Sequence, residues 1–344
     1  MRITLLTEPA IFLPWRCHEV PFICGHCTVF YAAFQTHLST DSTREPQMNL
    51  REWTMLSALA LMWGSAFMFT KLALAGASPM EVALVRSAMG LVILLVAVLY
   101  LRSSGHQLSM PPKVITFWLG LTGAALPFIL MAWGQQFIDS ALAGILVSAV
   151  PVFTVLIGHF VEGETRMTRR SITGVLLGLT GVAFVIGPNA LGGLTDGLIG
   201  QLAIILAALG YGCASLIGRR VSGHSPVLLG AGQMIVSLMV IAPAYVAVEG
   251  PGLPEMSGMS WLFVCILALV ASALPPILMF RLLRTVTAAQ LSLVSYLVPV
   301  VAMLWGVLLF GESLHIEQIA GFALILASLW AINRRRPEDI HTRK

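Results

Sequence analysis

Two stretches of this chain, 148 residues apart, are near copies of each other. Leu126-Pro127-Phe128-Ile129-Leu130-Met131 in the first half is answered by Leu274-Pro275-Pro276-Ile277-Leu278-Met279 in the second. The same offset links Pro151-Val152 to Pro299-Val300, and Gly163-Glu164-Thr165 to Gly311-Glu312-Ser313. A chain that repeats in this way is built from two copies of one structural unit. Composition says what the unit is made of. Hydrophobic residues make up 57% of the chain and charged residues 10%, against about 25% charged in an average soluble domain. So few polar side chains cannot cover a water-facing surface. Lipid leaves helices as the form in which an open chain satisfies its own backbone, so the chain is expected to be an all-α polytopic membrane protein.

A helix needs about 20 apolar residues to cross the hydrocarbon core. Such runs fall at roughly 55–74, 79–100, 115–136, 140–160, 171–187, 198–218, 226–247, 261–280, 288–309 and 317–333, which predicts ten transmembrane helices. The connections differ sharply in charge. Those after even-numbered spans carry Arg102 and Lys113, then Arg166, Arg169 and Arg170, then Arg219 and Arg220, then Arg281 and Arg284, and the C-terminal end adds Arg334, Arg335, Arg336, Arg343 and Lys344. Those after odd-numbered spans carry no Lys or Arg; they hold Asp139, Asp196, Glu249, Glu255, Glu312 and Glu317. Cationic connections stay on the cytoplasmic side, so both termini are expected in the cytoplasm of a cell with this protein in its inner membrane. The net charge of +4 is an orientation signal; no basic stripe with interleaved aromatics suggests nucleic acid.

Each repeat then holds five spans. An odd number makes the second copy enter the membrane from the opposite side, so the halves are inverted about an axis in the membrane plane. The expected organisation is a first repeat over 52–187, a second over 198–336 and a cytoplasmic tail over 337–344. That architecture suits alternating access, in which two halves rock around one central site.

Residues 1–47 read differently. Cys17, Cys24, Cys27, His18 and His26 superficially suggest a zinc site, but no paired C-x-x-C modules occur. The apolar stretch 20–34 is short and broken by Pro21 and Gly25. The expectation is that the functional protein starts at Met48, from which Met48-Asn49-Leu50-Arg51 leads straight into a span; a disordered tail or a metal-binding arm are the alternatives. Cys213 and Cys265 lie in apolar segments, where a free Cys behaves as a small hydrophobe.

Several motifs resemble the EamA-type transporters of the drug/metabolite transporter superfamily. Trp63-Gly64-Ser65-Ala66-Phe67 followed by Lys71 resembles their first span, and Ser78-Pro79 with Arg86 the opening of their second. Pro151 with Gly163-Glu164, and Pro299 with Gly311-Glu312, resemble their repeat signature. The resemblance covers residues 52–336. It implies a ten-helix basket with a central cavity lined by spans 1, 3, 4, 6, 8 and 9, and the export of amino acids, other metabolites or drugs from the bacterial cytoplasm.

Candidate substrate-binding residues come from pairing equivalent positions. Trp63 pairs with Tyr211; an aromatic with a polar edge suits an amphipathic solute, while a lipid-facing ring is the bland alternative. Arg86 pairs with Gln233, each seven residues after the Pro of its Ser-Pro. A cation so far into a span costs roughly 2.5–3.5 kcal/mol or more, so it faces protein or water, either as an anchor for a substrate carboxylate or as a structural pin to a helix end or to Glu81. Lys71 pairs with Arg219, where snorkelling to the interface is the simpler reading. Trp133 lies near the external end of span 3 beside Gln135 and Gln136, and Tyr296 and Trp305 flank Pro299. Pro151 and Pro299 each remove a helix hydrogen bond and are expected hinges. Glu164 and Glu312 end their helices as capping or loop-organising groups.

No Asp or Glu occupies the centre of a span, and Glu81 and His159 lie near span ends, which weakens proton antiport and keeps facilitated diffusion open. No Gly-rich phosphate loop, H-E-x-x-H or G-x-S-x-G occurs, so no catalytic site, metal or cofactor is expected. The sequence therefore reads as a permease for a small-molecule substrate in the lipid bilayer, with proton coupling and oligomeric state left open. Efflux of cationic drugs by proton antiport is the alternative within transport, and a membrane-embedded enzyme or receptor the alternative outside it.

Overall fold

In a computed structural model, residues 48–162, 169–187, 195–221, 223–282, 285–286, 288–291 and 293–333 are described. The segment 1–47 with its Cys and His residues, Glu164, and the tail from 334 onward lie outside the described residues. Every regular element among those described is helical. The first half contains α1 (Leu50–Leu74), α2 (Pro79–Ser103), α3 (Lys113–Gly120), α4 (Leu126–Gly134), α5 (Ser140–Val147), α6 (Val150–Glu162) and α7 (Arg169–Ile186). The second contains α8 (Asp196–Arg219), α9 (Pro226–Glu249), α10 (Gly258–Leu267), α11 (Leu274–Leu282), α12 (Ala288–Leu291), α13 (Val294–Phe310) and α14 (Ile316–Asn333). Seven stretches are long and apolar enough to cross a membrane, running through α1, α2, α3–α4, α5–α6, α8, α9 and α10–α11, and shorter apolar helices cover Ser171–Ile186, Val294–Phe310 and Ile316–Ile332.

Helix starts follow local chemistry. Asn49 with Glu52 and Ser78 with Glu81 form reciprocal capping boxes that satisfy the first free amides of α1 and α2. Exposed residues are apolar: Val92, Val96 and Leu99 on α2, and Leu304 and Leu308 on α13, are all open to the surroundings. A contiguous apolar exterior of this kind belongs against lipid.

Packing crosses between the halves. Helix α1 lies against α10 and α13 of the second half, and α8 lies against α4 and α6 of the first. The remaining large pairings are α2 with α9, α7 with α14 and α5 with α13. Each pairing maps onto itself or another when the repeats are exchanged. Where α2 meets α9, Ser87 Oγ and Ser237 Oγ share a buried hydrogen bond of 2.8 Å, close to where Gly90 makes room for Met234.

The repeated Leu-Pro motif marks a shared irregularity. The π-helical segment Leu121–Ala125 joins α3 to α4 immediately before Leu126-Pro127, and the π-helical segment Ala268–Ala273 joins α10 to α11 immediately before Leu274-Pro275. Proline lacks the amide that a regular ladder needs, and the wider π turn accommodates it. The two expected hinge prolines differ from each other. Near Pro151 the helix is interrupted, α5 ending at Val147 and α6 starting at Val150, whereas Pro299 lies inside the continuous α13.

Candidate functional site

Helix α8 carries Gly210-Tyr211-Gly212 at the junction of three elements. A Cβ on Gly210 would lie 2.9 Å from the carbonyl oxygen of Thr122 in the first π segment, and one on Gly212 3.1 Å from the Cβ of Phe153 in α6. The missing side chains thus let α8 close onto both neighbours. The repeat mate behaves alike: a Cβ on Gly64 would lie 2.5 Å from the Cβ of Val301 in α13. Tyr211 lies deep in the protein, yet part of its side chain remains accessible. Trp63, its mate, is half-buried.

Arg86 of α2 lies within electrostatic range of Tyr211. It is 6% exposed. Its Nε donates to Ser272 Oγ of the second π segment at 2.9 Å, and its guanidinium lies 3.8 Å from the centroid of the Phe128 ring in α4, a cation–π contact. Among the described residues, nothing accepts from its two terminal nitrogens, and neither is fully enclosed. The proposed pin to Glu81 does not form. Glu81 accepts instead from the amides of Ser78, at 2.7 Å, and Glu255, at 2.6 Å, tying the start of α2 to the loop before α10. Gln233 of α9 is half-buried on the symmetric side, its Nε2 within 3.9 Å of the Cβ position of Gly123 in the first π segment. Arg86 and Gln233 therefore each meet the π segment of the opposite half.

The other aromatic candidates are distributed elsewhere. Trp305 of α13 donates from Nε1 to Ser65 Oγ of α1 at 2.9 Å, so its polar edge is used in joining those helices. Tyr296 is half-buried in the first turn of α13. Trp133 is 37% exposed, with its ring edge-on to Phe137 at 5.1 Å. Its neighbour Gln135 is buried and donates to the Phe67 carbonyl at 3.0 Å.

A second polar cluster closes the end of the bundle where α1 stops. Lys71 does not reach outward alone. Its Nζ bonds Glu312 at 2.7 Å and Asp139 at 3.0 Å, and lies 5.1 Å from the Phe310 ring centroid. The Glu312 carboxylate also accepts from Ser140 N, Ser140 Oγ and Ala141 N, at 3.0, 2.8 and 2.9 Å. It thereby caps the N-terminus of α5, a favourable place for an anion. Gly311 adopts the left-handed conformation (φ +63°) that ends α13. Gly306 leaves the space into which the carboxylate folds back. Burial alone would push the Glu312 carboxyl up, but the hydrogen bonds from Lys71, Ala141 and Ser140 outweigh it and hold the group below its ordinary value of 4.5. His159, stacked edge-on to Phe160, takes no part in either cluster.

Sequence reasoning singled out Arg86, Tyr211 and Gln233 but missed Phe128, Ser272 and both π segments. The available signal was the small-residue run before each Leu-Pro, Thr122-Gly123-Ala124-Ala125 and Ala271-Ser272-Ala273.

An apolar helical exterior around a deep, polar, partly accessible interior is the organisation of a multi-pass membrane protein that handles small solutes. The chain belongs to the EamA-like transporter family, which matches residues 52–187 and 198–334. It is 30% identical over 290 residues to the uncharacterized inner membrane transporter YedA of Escherichia coli (strain K12), covering 80% of this chain and 89% of that protein. It is 26% identical to a probable amino-acid metabolite efflux pump of Salmonella typhimurium, covering 82% of this chain and 95% of that one. A solved crystal structure with 21% identity superposes with a TM-score of 0.56, covering 83% of this chain and 97% of its own, and shares the fold. The protein is thus a multi-pass membrane transporter with a small-molecule substrate rather than an enzyme.

Proposed function

We propose that the protein is a secondary transporter exporting small amphipathic metabolites, amino acids or related compounds, by alternating access. In this reading ten spans form two inverted five-helix repeats, 52–187 and 198–336, with both termini cytoplasmic. The reciprocal packing of α1 and α8 against the opposite half supports that reading, because each half then moves as a body whose lining helices belong partly to the other. The observation that carries the site is Arg86, 6% exposed, bonded through Nε to Ser272 and stacked on the Phe128 ring, with no carboxylate partner among the described residues. Trp63 and Gln233 extend the site by symmetry, and Trp133, Tyr296 and Trp305 are further candidates outside this cluster.

Pro151 and Pro299 act as hinges in this proposal, supported by the interruption before Val150 and by the proline within α13. Replacing Pro299 with Ala is expected to slow transport in protein that still inserts; an unchanged rate removes the hinge. A cation at the centre opposes the entry of cationic drugs, which favours metabolites over that alternative.

Counterflow in proteoliposomes tests the proposal, with the full chain preloaded with a mixed pool of amino acids and small metabolites and exchanged solutes identified by mass spectrometry. Exchange of a specific solute without a pH gradient marks a facilitator. Exchange that requires the gradient marks proton coupling. No exchange from folded protein overturns the transport mechanism proposed here.

A further inference from the structure

Resting on that central site, we infer that it selects organic anions, a carboxylate on an aromatic or apolar body, over zwitterionic amino acids, with Arg86 as the specificity-determining residue. Of the five N–H donors a guanidinium carries, Arg86 uses the one on Nε for Ser272, and the Phe128 ring covers one face. Among the described residues, the edge formed by the two terminal nitrogens has no protein partner, and neither nitrogen is fully enclosed. That edge matches a carboxylate in two parallel hydrogen bonds.

Among the described residues, no acidic side chain is placed to receive an ammonium group there. Glu81 is held by the Ser78 and Glu255 amides, and Asp139 and Glu312 are held by Lys71. The sequence puts no Asp or Glu in the middle of any predicted span. A buried cation without a counter-charge is costly, and a bound carboxylate relieves it. A zwitterion brings the same carboxylate together with an ammonium that must leave water, unpaired, near a guanidinium that repels it. Tyr211, only partly buried, supplies aromatic surface for the body of the solute.

Four compounds sharing one side chain separate the possibilities: N-acetylphenylalanine (anion), phenylalanine (zwitterion), phenylalaninamide (cation) and N-acetylphenylalaninamide (neutral). Binding to the full-length protein in detergent is read by calorimetry, and counterflow is measured in proteoliposomes. N-acetylphenylalanine is expected to bind at least about tenfold tighter than phenylalanine, with the cation weakest. Arg86→Gln is expected to weaken the anion by about tenfold to a hundredfold and level the series, while Arg86→Lys retains part of the ranking. Phenylalanine binding as tightly as its acetylated form overturns the inference. So does an unchanged ranking in Arg86→Gln, or binding of none of the four by protein that unfolds cooperatively. The expected ranking without counterflow of any solute removes the transport mechanism and leaves the anion site. Equal counterflow of all four removes the anion preference and leaves the transport mechanism.

Discussion

Lys71 and Arg86 are both cations carried on apolar helices, and the protein treats them in opposite ways. Lys71 is 27% exposed in its side chain, yet it has two carboxylate partners, and the buried one is in turn bonded by Ser140 and Ala141. Arg86 is more deeply buried and among the described residues has no carboxylate partner, only a hydroxyl and an aromatic face. Stability alone would have placed the acid where burial is deepest, because an unpaired buried charge is the costlier arrangement. The reversal separates the roles. The Lys71 cluster joins α1, α5 and the end of α13 into one closed corner, and the Arg86 region keeps an unmet demand that a solute can meet.

This contrast can be broken or sharpened by measurement, beginning with its strongest element. Glu312→Ala is expected to lower stability by about 3 kcal/mol, because it strands Lys71 and the first amides of α5; thermal unfolding in lipid nanodiscs reads this, and a change near zero would dissolve the idea of a closed corner. Gly306→Ala comes next, at about 1–3 kcal/mol in the same assay, since its methyl group would occupy the space of the Glu312 carboxylate.

The pH dependence has a definite sign. Because the Glu312 carboxyl is held below 4.5, its contribution is complete above the unfolded-state value and is lost as pH falls through the lower folded value. Stability should therefore show no loss from this group between pH 7 and 5 and should decline below about pH 4.5. Glu312→Gln should lack that decline. Asp139→Asn is a milder case, since Asp139 is 53% exposed, and at most about 1 kcal/mol is expected. The smallest effect on stability belongs to Arg86→Gln, within about 1 kcal/mol, since it removes a charge that no protein group neutralises. A large destabilisation there would assign Arg86 a structural role and erase the contrast with Lys71.

Much of this was legible in the residues, for reasons that differ by element. The run Leu126-Pro127 and its copy Leu274-Pro275 announced the repeat because identical local chemistry recurs at a fixed offset, and both copies do carry the same π segment. Arg86 was noticed because a cation seven residues into a span is conspicuous against an apolar background. Its neighbours were invisible, because Phe128 and Ser272 are ordinary apolar-segment residues until packing brings α4 and the second π segment to α2. The partners of Lys71 were invisible for the same reason: Glu312 is 241 residues away in sequence, and no local pattern links them.

By itself, then, the sequence determined the class of structure. Hydrophobic runs set the helices, caps such as Asn49 and Ser78 set their starts, and charge asymmetry together with the repeat carried the expected topology, all of them local or one-dimensional quantities. Only the tertiary structure decided which polar groups are answered and which are left open. That depends on which side chains from distant helices converge in a low-dielectric interior, where a carboxylate gained at Lys71 or missing at Arg86 changes the meaning of the cation.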